Sequence, residues 1–367
     1  MVDEQRALTE AVRTGTRIGS GLGTSEPSRF YAGLWDHIRS ADLHDIEIRQ
    51  ALFMAPHPLL VGDAIAAAQA AADADDDPEG LTERATHAIE SRLDDAARLR
   101  HLRDHVEALQ ARGIRFVSAF MGPATNRIVP ATATTRLLAP DLAGRNLATA
   151  GIMSWQPVHF PDAVALGHEP GSDAPAADLF VYVVTPPNPD DRVSFGASNG
   201  ADGDIVGRVL DRHDMTLLLY VNARNPWIDG FEFAPNDFDL HRLEPLARQD
   251  RMWLVVDDSD LPGLPPGTFS SASDVEQRIA RHVADHIGNN LDHTAERALQ
   301  IGIGGTGAQI AHRLPDTGWR GRLYTEMLDP VMLDLLDAGV VAGSHIVHHG
   351  VRDDLDDVVV ATFAMGA

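Results

Sequence analysis

Cysteine is absent from all 367 residues. Disulfides, thiolate nucleophiles and cysteine-ligated metals are excluded with it. Lysine is absent too, since all 30 basic side chains are arginine. That removes Schiff-base chemistry and the phosphate-binding lysine of a Walker loop. Positive charge as a whole is scarce. Against 54 acidic residues it leaves a formal net charge of -24, a field that repels phosphates at long range and argues against nucleic-acid or anionic-membrane partners. No apolar run is long enough to span a bilayer. The opening residues, MVDEQRALTEAVRTG, are charged and carry no apolar signal core. These absences lead to the expectation of a cytoplasmic enzyme.

What is present describes a globular chain of 44% hydrophobic and 23% charged residues. At this length two domains are expected. In chain order, the pattern predicts a short helix over 3–14 and a strand over 16–18. A glycine turn, Gly19-Ser-Gly21-Leu-Gly23-Thr-Ser-Glu-Pro27, follows and reads first as a structural turn opening an α/β unit. Pro27 suits the first turn of a helix over 28–40 that buries Phe30, Leu34, Trp35 and Ile38.

A strand is expected over 45–53. An alanine-rich segment and the acidic run Asp73–Asp77 lead into an amphipathic helix over 81–110. Apolar runs at 114–120, 178–185, 215–222 and 251–257, with a crossover helix over 204–212, point to a parallel sheet covered on both faces. Residues 261–273, rich in Pro, Gly and Ser, divide a first domain, 1–260, from a second, 274–367. The second opens with a helix capped by Ser273. Val275, Ile279, Val283 and Ile287 are its expected apolar stripe and Gly288 its expected end. A last strand is expected over 357–363.

The segment from Leu299 to Val340 reads as strand, glycine turn, helix, strand, a lone carboxylate (Glu326) and another helix. Gly302-x-Gly304-x-x-Gly307 fits a dinucleotide fingerprint, with Glu326 near the spacing of the acid that holds a ribose. Three features count against NAD. The unit sits late in the chain. The strand before Glu326, Arg322-Leu323-Tyr324-Thr325, is less apolar than a central strand. Thr306 and Gln309 suit other uses. His345, His348 and His349 have metal-pair spacing but no carboxylate motif around them. No metal is expected.

Several segments, in order, resemble the acetyl-CoA hydrolase/transferase family, class I CoA-transferases similar to 4-hydroxybutyrate CoA-transferase. They are FMGPATNRIV (120–129), QPVHF (156–160), DLFVYVVTPPNPDDRVSFGAS (178–198), the stretch from Tyr220-Val221-Asn222 through Pro226 to Gly230, LQIGIGG (299–305), YTEM (324–327), DLLDAGV (334–340) and ATFAMG (361–366). The resemblance covers most of the chain outside the helical segment 60–112. It implies two open, mainly parallel-sheet α/β domains, CoA-transferase-like, with the active site between them.

It also implies that Glu326 is a nucleophile forming a glutamyl-CoA thioester. Gly302, Gly304, Gly305 and Thr306 would lie against the thioester, where an amide cradle stabilises the oxyanion made at the attacked carbon. The implied activity is transfer of coenzyme A from an acyl-CoA to a carboxylic acid. Hydrolysis through the same intermediate and a non-catalytic scaffolding subunit are the alternatives. Arg313, Arg320 and Arg322, near the glycine turn in sequence, are the candidates for the CoA phosphates. The chain departs from the family in two places. Thr306-Gly307 follows its Gly-Gly, and the glycine-rich "G-x-G-G-x-x-D-F" segment does not occur, so the second domain is expected to be incomplete. A partner subunit supplying that half, or a homo-oligomer, is therefore expected.

Overall fold

The computed structural model describes residues 2–21, 25–53, 59, 105–121, 152–155, 177–196, 206–207, 209–210, 215–229, 236–259, 261, 272–291, 298–302, 304–325 and 330–344. The boundary between two compact units falls between Leu264 and Pro265, within the Pro/Gly/Ser-rich stretch, and residues 228–236 group with the second unit.

In the first unit, α1 (Glu4–Ala11) is capped by Asp3, whose carboxylate accepts from Arg6 N at 3.0 Å. Then come β1 (Arg17–Ser20), α2 (Ser28–Ser40), β2 (Glu47–Phe53), β3 (Arg115–Met121), β4 (Met153–Trp155), β5 (Leu179–Val184), β6 (Arg192–Ser194), β7 (Thr216–Asn222), β8 (Asp237–Asp239), α3 (Glu244–Ala247) and β9 (Met252–Asp257). Seven strands form one sheet in the order β4-β3-β2-β1-β5-β7-β9. Every neighbouring pair in it is parallel. β6 and β8 make a separate antiparallel ribbon.

β5 shows why this sheet is buried on both sides. All six of its residues are buried. Leu179, Val181 and Val183 pack with α1 and α2, whereas Phe180, Tyr182 and Val184 pack with Val206, Val209 and Leu246 on the other face. Burying each such side chain stabilises the fold by about 1.5–3 kcal/mol. Helix α2 buries Phe30, Leu34, Trp35 and Ile38 as the spacing predicted, and Tyr31 and His37 with them.

In the second unit, α4 (Asp274–Asn290) precedes β10 (Ala298–Ile301), α5 (Gly305–Ala311), α6 (Leu314–Thr317), β11 (Gly321–Thr325), α7 (Pro330–Asp337) and β12 (Val341–Ser344). The three strands pair in the order β10-β11-β12, all parallel. Their core gathers Ile287, Ile301, Leu314, Trp319, Leu323 and Leu335.

Helix α4 differs from its sequence reading in two ways. It buries Ala280, Ala284 and Ile287 and leaves Val275 and Ile279 about half exposed (54% and 45%). Small residues let the helix approach its neighbours closely. Gly288 serves the same approach, because a Cβ there would lie 3.3 Å from Thr317 O. It does not end the helix, which runs on to Asn290.

The acidic run 73–77, nearly all of the segment 60–112 and the expected strand 357–363 lie outside the described residues. Residues 105–111 are helical.

Candidate functional site

The glycine turn of the second unit lies at the carboxyl ends of its strands. β10 and β11 pair from Ala298↔Arg322 to Ile301↔Thr325, so both strands finish at one rim. Gly304 has φ 132° and ψ 167°, a region open essentially to glycine alone. Gly307 is required for another reason: a Cβ there would stand 2.6 Å from Gly302 O. Gly302 itself is exposed, and a Cβ there would meet nothing within 4 Å, so its Cα borders open space. The turn thus presents bare backbone next to the end of β11. Gly304 and Gly305 at its tip are half-buried.

Thr306 follows in the first turn of α5. It is half-buried. On α4, Glu276 Oε2 accepts from Ser273 N and Ser273 Oγ, each at 2.7 Å. These hydrogen bonds, led by the one from the Ser273 backbone, hold the Glu276 carboxyl below the usual glutamate range. Ser273 caps α4, as its place before the helix predicts.

The expected nucleophile, Glu326, lies outside the described residues, as do His345, His348 and His349. Among the described residues, no three His, Asp or Glu side chains gather as they would around a metal ion. None of the described helices is long and apolar enough to cross a membrane.

The topology sets the three arginines apart from the turn. Arg322 is the second residue of β11 and pairs with the first residue of β10, three residues, or about 10 Å, from the Ile301–Thr325 end. Arg320 precedes the strand, exposed, and donates to Trp319 O at 2.7 Å. Arg313 follows α5 and folds back onto Gln309 O and Oε1 at 3.0 and 3.3 Å.

The first unit has a polar cluster of its own. β1 is the strand from which the sheet winds outward in both directions, toward β4 and toward β9. In open α/β sheets the crevice beyond the carboxyl end of such a strand is the usual place for a ligand. Ser20, Gly21, Ser25 and Glu26 lie there. Glu26 is fully buried and Gln50 nearly so, and Gln50 Nε2 donates to Glu26 Oε2 at 2.7 Å and to Gly21 O at 3.3 Å.

Tyr31 OH donates to Ser20 Oγ at 2.7 Å, and burial pushes its pKa well above the usual phenol value. Ser25 Oγ reaches Phe195 O at 3.4 Å. In sequence, residues 19–27 read as a structural turn. The buried carboxylate was not legible, because Gln50 comes from β2 and its neighbourhood depends on strand order.

No protein-family model and no curated protein matches the chain. Solved structures do. RipA from Yersinia pestis is similar at 17% identity and a TM-score of 0.56, over 93% of this chain and 59% of that one. A chain of a Pseudomonas malonate decarboxylase hetero-tetramer in complex with malonate is similar at 15% identity and a TM-score of 0.51, over 93% and 50%. A 4-hydroxybutyrate CoA-transferase from Porphyromonas gingivalis is similar at 16% identity and a TM-score of 0.49, over 93% and 58%. Such identities speak to fold. The chain shares its α/β fold with RipA and with the malonate decarboxylase chain, and it spans 59% and 50% of their respective lengths.

Proposed function

We infer that the chain takes part in coenzyme A transfer between carboxylic acids, with Glu326 as the nucleophile. The observation that carries this reading is the parallel pairing of β10 with β11, Ile301 opposite Thr325. The residues that follow this pair in sequence are Gly302 and Glu326. A carboxylate entering from one strand beside bare amides from its neighbour is a workable arrangement for attack on a thioester. The segments resembling class I CoA-transferases support it, and the fold shared with RipA is compatible with it.

In this mechanism a Glu326 oxygen attacks the acyl-CoA carbonyl. The C–S bond breaks, and the CoA thiolate leaves a mixed anhydride. The thiolate then attacks the glutamyl carbonyl and expels the acyl group as a carboxylate, which gives glutamyl-CoA. The acceptor carboxylate repeats the two steps in reverse, restoring Glu326 and forming the new acyl-CoA. Water in place of the acceptor would make the same site a hydrolase. Association with a second subunit belongs to the proposal. One structurally similar chain comes from a hetero-tetramer.

The test is mass spectrometry of the tryptic peptide 323–352 after incubation with acyl-CoA, with and without a candidate partner. A CoA adduct that hydroxylamine converts to a hydroxamate is expected, and Glu326→Gln should abolish it. Dependence of turnover on an added carboxylic acid separates transferase from hydrolase. If no acyl-CoA or partner yields an adduct, and Glu326→Gln leaves biological activity intact, the chain is a scaffolding subunit.

A further inference from the structure

Acidic side chains occupy places in this fold where local chemistry favours other residues. Helix α7 carries no acid in its first turn and no base in its last. Its two acids, Asp334 and Asp337, lie in the last turn instead, and both are exposed. There the macrodipole disfavours a carboxylate, and at i, i+3 the two charges repel each other. Among the described residues, every non-glycine residue with positive φ is aspartate: Asp42, Asp45, Asp191 and Asp250, at φ 50, 57, 56 and 52°. All four are exposed. Glycine takes that conformation freely and asparagine tolerates it as well as aspartate does, and neither would add charge. Arginine cannot balance this surface. With 54 carboxylates and 30 arginines, 24 carboxylates would have no arginine even if each arginine served one. Arg29 is shared by Glu4 at 3.2 Å, Asp257 at 3.8 Å and Asp258.

We propose that the folded chain and its coenzyme A site require high ionic strength, on the order of 1 M monovalent salt, because screening removes a self-repulsion that the fold does not relieve. Range decides the sign. At 0.1 M the Debye length is about 10 Å, so excess carboxylates repel one another across the surface; at 1 M it is about 3 Å. Ion pairs in contact, such as Arg17–Asp178 at 2.8 Å, lie within even the shorter length and keep more of their attraction. Salt therefore removes more repulsion than attraction. For coenzyme A the proposal rests on the reading that the chain handles acyl-CoA. That substrate carries several phosphate charges, and Arg313, Arg320 and Arg322 are set apart from the glycine turn. A phosphate site built from guanidinium groups weakens as salt rises. A site that a polyanion approaches through a net charge of -24 strengthens.

The experiment uses the full chain at about 0.1 and 1 M KCl. Urea is uncharged, so urea denaturation followed by tryptophan emission reports stability at each salt concentration. The midpoint should rise by roughly 0.5 M or more in the higher salt. A midpoint that stays in place or falls overturns the proposal. Some salts also strengthen apolar burial, so a charge variant separates the two causes. Asp334→Asn with Asp337→Asn should slow amide exchange in the peptide spanning 330–337 by about threefold at the lower salt, the scale of a relieved like-charge pair and dipole contact. At the higher salt, variant and parent should nearly coincide. No difference at the lower salt, or the same difference at both, overturns the proposal. If the double variant fails to fold, Asp337→Asn alone carries the same comparison.

The second readout is calorimetric binding of CoA at the two salt concentrations. Affinity should rise by about tenfold toward the higher salt, within the range over which surface potentials alter association. Affinity that falls with salt would put basic groups on the phosphates and overturn the salt requirement of the site. A chain already unfolded at the lower salt supports the proposal directly, and binding is then compared between about 0.5 and 2 M KCl. If the midpoint rises with salt but CoA binds at neither concentration, the CoA reading falls and the salt requirement of the fold stands.

Discussion

Replacing each glycine of the Gly302-x-Gly304-x-x-Gly307 turn with alanine should give three different results, because the structure gives the three positions different reasons to be glycine. At Gly307 the new methyl would lie 2.6 Å from Gly302 O and 3.0 Å from Ile301 Cγ2. The first distance is roughly 0.8 Å inside ordinary van der Waals contact. The offending atom is backbone and cannot rotate away, so a cost of about 1–3 kcal/mol is expected. At Gly304 nothing crowds the methyl, but φ 132° with ψ 167° strains any other residue by about 1–3 kcal/mol. At Gly302 the methyl points into open space, and stability should change by no more than about 0.5 kcal/mol.

The assay is urea denaturation followed by tryptophan emission. Trp319 is fully buried in the core of the second unit, and Trp319→Phe identifies its share of the signal. With m near 2 kcal/mol/M, a loss of about 2 kcal/mol moves the midpoint by roughly 1 M. Gly307→Ala and Gly304→Ala should show that displacement and Gly302→Ala should not. A fully stable Gly307→Ala, or a Gly302→Ala as damaging as the other two, would refute the reasoning. CoA binding adds a discriminating outcome. If the ligand approaches the bare backbone at Gly302, Gly302→Ala should weaken binding while leaving the midpoint in place.

Gly19→Ala in β1 should lower the stability of the first unit by about 1–3 kcal/mol, because its Cβ would sit 2.6 Å from Cε1 of the buried Phe180 ring. Phe180→Leu in the same chain should recover part of that loss, and an additive penalty in the double variant would count against the clash. The Glu276 carboxyl titrates below its ordinary value of 4.5 in the folded chain. Its contribution is therefore complete above that value and lost as pH falls through the lower folded one. Amide exchange in the first turn of α4 should rise over that acid range, and Glu276→Gln should flatten the profile. Arg320→Ala with Arg322→Ala should leave CoA affinity within about twofold, the range of surface changes remote from a site. A large loss by calorimetry would show that the phosphates reach the far end of β11.

Local chemistry was readable without coordinates wherever neighbours in sequence decide it. Ser273 caps α4 because its hydroxyl and the first N–H groups of the helix lie in one turn. The apolar runs of β5 and β7 become strands buried within a sheet, since only a position covered on both faces accepts a continuous apolar run. The same reasoning failed on α4. Hydrophobic spacing says which residues can be buried, whereas close packing against neighbouring elements decided that Ala280, Ala284 and Gly288 go inward and Val275 and Ile279 stay out.

The glycines between 302 and 307 were visible as a pattern, but their separate roles were not. A positive φ at Gly304 and the approach of Gly307 to a carbonyl exist only once the chain has turned. The cluster of Ser20, Glu26 and Gln50 had no sequence signature at all. Its members meet because β1 pairs with β2 on one side and β5 on the other. Strand order is set by the long-range burial of two helix-covered faces, and no local pattern encodes it.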